Sequence, residues 1–117
     1  MIKPSKKEMP SLRILLGGPA GMGPGKAAIL EAIDRTGSIS AAAREMGMSY
    51  RKAWLMVDAM NHCFREPVVM GNAGGTKGGG AAVTEMGREV VRCYREMENK
   101  ARTALETELA IFSKLIS

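Results

Sequence analysis

The segment from Ile39 to Met56 constrains the chain most. Ala42 and Ala43 lie five and four residues ahead of Gly47, and Ser49 follows two residues after it. Two helices that cross steeply need small residues where they touch and a glycine where the turn becomes left-handed. This stretch supplies both. Met46 and Met48 flank the turn as core anchors, and Ser49 is placed to cap a following helix that reaches Phe64, where Pro67 forbids extension. At 100° per residue, Ala53, Met56, Val57, Met60 and Phe64 share the inward face of that helix. Arg51, Leu55, Asp58 and His62 point away, with Lys52 and Trp54 on the flanks.

The flanking residues extend the pattern. Ser11–Leu16 reads as a short strand, followed by a Gly/Pro loop over 17–25. Pro24 opens a helix to Thr36 that buries Ile29, Leu30 and Ile33, and Gly37 ends it. Ser38 or Ser40 then caps a helix over Ala41–Met46. Pro67–Met70 and Ala81–Val83 read as two strands joined by a glycine-rich tip, and Thr84 caps a last helix that meets no breaker after Gly87 and extends to about Ile116. The expected fold is mainly α with a small β component: a winged helix-turn-helix over 1–84 with a long C-terminal dimerisation helix over 85–117, within one structural unit.

Charge divides the chain at the same place. Of 17 Lys+Arg and 12 Asp+Glu in 117 residues, the first 84 hold 11 basic and six acidic residues, and the rest hold six of each. The whole net charge of +5 therefore precedes Glu85. A basic module followed by a balanced one suits a polyanion-binding surface joined to a segment with another task. Aromatic residues make up only 4%, so the core must be aliphatic and rich in alanine and methionine. No apolar run reaches the roughly 20 residues of a membrane helix, and two cysteines are too few for a disulfide scaffold. The chain reads as a cytoplasmic protein without membrane association.

Leu30–Ile33, Thr36–Ala43, Met48–Trp54, Asp58–Asn61, Gly74–Gly80 and Val83–Thr84 together resemble the N-terminal DNA-binding domain of the molybdate-responsive ModE family, and more distantly the helix-turn-helix of LysR-type regulators. The resemblance spans Gly25 to Tyr94. It implies that Ser49, Tyr50, Arg51 and Lys52 read bases and phosphates in a major groove, with Trp54 at the edge of that helix and Lys77 contacting DNA from the wing. The candidate DNA-contacting set is completed by Ser38, Ser40 and Arg44 before the turn and by Thr76 at the wing tip. ModE proteins carry oxyanion-sensing domains after this module and this chain stops at Ser117, so neither molybdate nor tungstate is an expected partner.

Along the last helix Val90, Tyr94, Met97, Ala101, Leu105, Leu109 and Phe112 recur at spacings of three and four. About 30 residues span roughly 45 Å, longer than a small domain covers, so the stripe is assigned to pairing with a second copy. The expected partners are double-stranded DNA, bound at a palindromic operator, and the chain itself as a homodimer. A sequence-tolerant architectural DNA-binding protein is the alternative. A nucleotide-binding reading of Gly17–Lys26 fails on spacing, because Ala20 stands where the phosphate loop needs glycine and Ala27 where it needs Ser or Thr. No metal site is expected from His62, Cys63 and Cys93, which read as a solvated imidazole and core thiols. No cofactor and no catalytic residues are expected, and the chain is not read as an enzyme.

Overall fold

A computed structural model describes residues 11–18, 21–72 and 80–117. Pro24, which has no N–H to lose, starts α1 (Pro24–Thr36) directly after Gly23. Gly37 ends it in the left-handed region, φ 73°, and donates its N–H to the Ile33 carbonyl. Helix α2 (Ile39–Glu45) begins two residues earlier than expected, because Ser38 rather than Ser40 caps it by accepting from the Ala41 N–H. Gly47, with φ 68°, makes the turn, and Ser49 caps α3 (Tyr50–Cys63) through the Lys52 N–H. Ala42, Ala43, Ala53, Val57 and Met60 are buried where α1, α2 and α3 meet. The small side chains expected at the crossing are therefore in the core.

Strands β1 (Val69–Asn72) and β2 (Gly80–Val83) form an antiparallel hairpin in which Val69 faces Val83 and Asn72 faces Gly80. Its inner face, Val69, Ala81 and Val83, closes the core beside fully buried Val68, while Met70 and Ala82 face outward. Each strand is shifted slightly from the expected span. Pro67 cannot donate to a ladder, and β1 starts beyond it. The hairpin is tied to the helices at its root: the Ala81 N–H donates to the Gly37 carbonyl, and the Thr84 N–H to the Val68 carbonyl.

Two expectations are corrected. Ser11–Leu16 forms no strand. A single bridge joins Leu16 to Met22, because the chain turns back at once and then enters α1, leaving no neighbour to extend a ladder. The C-terminal helix is two helices, α4 (Glu85–Ala104) and α5 (Glu106–Ser113), separated at Leu105. Glu106 and Glu108 occupy the first turn of α5, where a helix start favours carboxylates, so the break needs neither glycine nor proline.

Helix α4 does not stand apart from the core. A Cβ on Gly87 would lie 2.4 Å from the Val68 carbonyl oxygen and 2.6 Å from a Val83 methyl, so only glycine admits the helix this close to the hairpin. Arg95 donates to both oxygens of Glu31 on α1, at 2.7 and 3.1 Å, and to Glu98 at 2.7 Å. Glu98 is buried, and the guanidinium supplies the partner that a desolvated carboxylate requires. The Tyr94 hydroxyl donates to the Ile14 carbonyl at 2.5 Å, which holds the N-terminal segment against α4. Burial pushes this phenol above its ordinary value, and the nearby Glu98 carboxylate adds to the shift.

Candidate nucleic-acid interface

The start of α3 is the most exposed part of the helix-turn-helix. The Ser49 hydroxyl is engaged by the Lys52 N–H, which fixes the first turn, and Tyr50, Arg51 and Lys52 project from it into solvent. That turn contains no acidic residue; on α3 the first carboxylate is Asp58, two turns away. Uncompensated N–H groups and two cations on a capped helix end make a surface for phosphate and base edges.

The other expected contact residues fall around it unevenly. Ser40 and Arg44 are exposed on α2, whereas Ser38 is half-buried and its hydroxyl is committed to the cap. Trp54, 45% exposed, leans toward the hairpin and walls a groove of about 260 Å³ with Ile39, Asp58, Asn61, Val69 and Gly71. Thr76 and Lys77 lie outside the described residues. His62 is solvent-exposed as expected, with Nδ1 2.7 Å from the Asp58 carbonyl. Cys93, expected as a core thiol, is exposed, and its thiol points to Glu89 at 3.6 Å. No group of three or more His, Cys, Asp or Glu suited to a metal ion occurs among the described residues.

Asn61 is the residue that sequence reasoning missed. Its Oδ1 accepts from the Val68 and Val69 N–H groups at 2.8 and 3.1 Å, and its Nδ2 donates to the Val69 carbonyl at 3.1 Å. One amide thus joins the end of α3 to the root of the wing. An asparagine in the last turn of a helix signals nothing by itself. Only the proximity of Pro67, which forces the chain to turn back along α3, hints at this role.

The proposed pairing stripe also divides. Tyr94 is 1% exposed in the core of its own chain, so it is not available as a pairing residue, and Val90 packs partly against the same core. Met97 and Leu105 are exposed and Ala101 is half-buried. Helix α5 buries nothing: Ile111 and Phe112 are each 57% exposed, and Leu109 is half-buried. Periodicity defines an apolar face along α4 but does not distinguish a face covered by the domain from one left open.

A three-helix core in which a glycine turn joins α2 to a cationic α3, together with a two-stranded wing, defines a winged helix-turn-helix protein. No protein-family profile matches the chain. Individual proteins do. The chain is 51% identical over 79 residues to the molybdenum-pterin-binding protein MopB of Rhodobacter capsulatus, covering 68% of this chain and 29% of that protein. It is 45% identical over 78 residues to the molybdenum transport protein ModE of Azotobacter vinelandii, covering 67% and 29%. Against the DNA-binding transcriptional dual regulator ModE of Escherichia coli K12 the identity is 32% over 91 residues, covering 75% and 35%. Transcriptional regulators named ModE therefore contain a region similar to this chain, which spans about a third of their length. In fold it is similar to a solved LysR family transcriptional regulator, with a TM-score of 0.53 and 16% identity over 71% of this chain and 27% of that one. No helix among the described residues is long and apolar enough to cross a membrane.

Proposed function

We propose that this chain is a DNA-binding module of a transcriptional regulator, which binds a palindromic operator as a homodimer and has no enzymatic role. The observation that carries the reading is the start of α3: a serine-capped, acid-free helix end that presents Tyr50, Arg51 and Lys52 beyond the body of the fold. In this reading α3 enters the major groove, with Arg51 on base edges and Lys52 on phosphate. Ser38, Ser40 and Arg44 approach the backbone from α2, Trp54 borders the groove on the wing side, and Thr76 and Lys77 contact the duplex from the wing tip. The open faces of α4 and α5, from Met97 and Ala101 to Leu105, Leu109 and Phe112, pair with those of a second copy.

Selection of bound fragments from random DNA supplies the probe, and a competition gel shift against scrambled duplex supplies the measurement. Arg51→Ala should reduce the preference for the selected sequence by about 1–3 kcal/mol, roughly five- to 150-fold. Lys52→Ala should weaken both duplexes alike, and Lys77→Ala should flatten the salt dependence by about one unit of slope. Unchanged binding in both α3 variants would remove the helix from the groove. Equal affinity of the unmodified chain for selected and scrambled duplex would instead favour an architectural DNA-binding protein.

A further inference from the structure

Two grooves meet at Lys26, and both open beside α3. One, of about 400 Å³, runs between Lys26, Ser49, Arg51, Lys52 and Met56. The other, of about 390 Å³, continues past Met56 and Lys26 to Arg13 and the loop that leads into α1. Among the described residues no carboxylate lines either groove, and four cations, Arg13, Lys26, Arg51 and Lys52, share one continuous surface. Lys26 donates an Nζ hydrogen to the Gly21 carbonyl at 2.8 Å. An ammonium has three donors, so this tether orients the side chain while leaving capacity for further acceptors.

The helix starts show the same bias. A first turn normally attracts Asp or Glu, because the carboxylate offsets the positive end of the helix dipole. Helices α1, α2 and α3 have none there, whereas α4 begins with Glu85 and α5 with Glu106 and Glu108. At α1 the approach is also open. Gly25 is exposed, and nothing lies within 4 Å of the position a Cβ would take there.

We infer that Lys26 and Arg13 form a second phosphate-binding surface, beside α3, that holds the sugar-phosphate backbone flanking the groove α3 occupies. This rests on the reading of α3 as the DNA-contacting helix. The ligand chemistry is that of phosphodiester oxygens, which Lys meets as a compact point charge and Arg as a planar fork. The same chemistry exists on a free nucleotide. The continuity of the Lys26 groove with Ser49, Arg51 and Lys52 assigns the surface to the duplex that those residues face. The glycine-rich approach to α1 then has a use without nucleotide hydrolysis: it lets a backbone come close.

The test compares the unmodified chain with Lys26→Gln, Lys26→Arg, Arg51→Ala and the Arg13→Ala/Lys26→Gln double variant. Gln keeps a donor for the Gly21 carbonyl while removing the charge, and circular dichroism checks that each variant folds. Binding to the selected duplex and to its scrambled counterpart is followed by fluorescence anisotropy over a potassium chloride series. The slope of log K against log salt should fall by about 0.9 for Lys26→Gln and about 1.8 for the double variant. Lys26→Arg should restore it, and the preference between duplexes should stay within about twofold. An unchanged slope in the double variant, with sequence preference lost in Arg51→Ala, would overturn this proposal and leave the α3 reading standing. Unchanged binding in Arg51→Ala as well would overturn both. Saturable binding of a fluorescent ATP analogue that Lys26→Gln abolishes would assign the surface to a nucleotide and overturn the proposal.

Discussion

The two ends of this molecule have opposite surface chemistry. From Arg13 to the wing, exposed cations and hydroxyls gather around helices whose first turns are free of acid, with Leu15, Leu55, Met70, Asp34 and Glu45 also exposed between them. From Met97 to Ile116 the charges balance and large apolar side chains stand in water, among them Ile111, Phe112 and Leu115. The cations and hydroxyls of the first surface lose no hydrophobic energy by staying exposed, because they are well hydrated. The second does, since each large apolar side chain gains about 1.5–3 kcal/mol on burial. A polyanion suits one end and an apolar partner the other, in a molecule 56 Å along its longest axis.

The sharpest way to break this contrast is at α5. Changing Ile111 and Phe112 together to Asp should raise the dimer dissociation constant about a hundredfold or more, read by sedimentation equilibrium. Thermal unfolding of the monomer should hardly change, because α5 contributes no buried residue to the core. A monomeric unmodified chain would contradict the assignment of that end.

Gly87→Ala probes the junction between the two ends. The added methyl would meet a backbone oxygen that cannot rotate away, so a destabilisation near the upper end of the about 1–3 kcal/mol overpacking range is expected in urea titration. An unchanged midpoint would mean that α4 is free to shift off the hairpin.

Tyr94 gives a smaller and pH-dependent effect. Its neutral form is favoured in the fold, so its contribution is fully present below the phenol's ordinary value of about 10 and is lost as pH rises through the higher folded value. Tyr94→Phe should cost about 1 kcal/mol at neutral pH by removing the bond to the Ile14 carbonyl, and should flatten the alkaline fall in Tm. A variant whose alkaline profile matches the unmodified chain would place the titrating group elsewhere.

Local signals made much of this fold legible. Pro24 and Gly37 bound α1 because one residue lacks an N–H and the other tolerates a left-handed turn, and both facts are intrinsic to the residues. Ser49 marked the start of α3 and, with it, the cationic turn. What stayed hidden depends on distant partners. The Leu12–Leu16 alternation could describe a strand, but a strand needs a neighbour and this one meets only Met22. The stripe along α4 did not say that Tyr94 points into its own domain, since periodicity defines a face and not what covers it. Lys26 was readable as a first-turn residue of α1, and its place beside Arg51 appears only when α1 packs across α3.

The Asn61 amide fixes more than stability. Three hydrogen bonds from one side chain register the wing root to the far end of α3, while the Gly37 carbonyl holds the opposite strand. The end of α3 and the described root of the hairpin therefore share one register, set by the module's own side chains and not by whatever it meets.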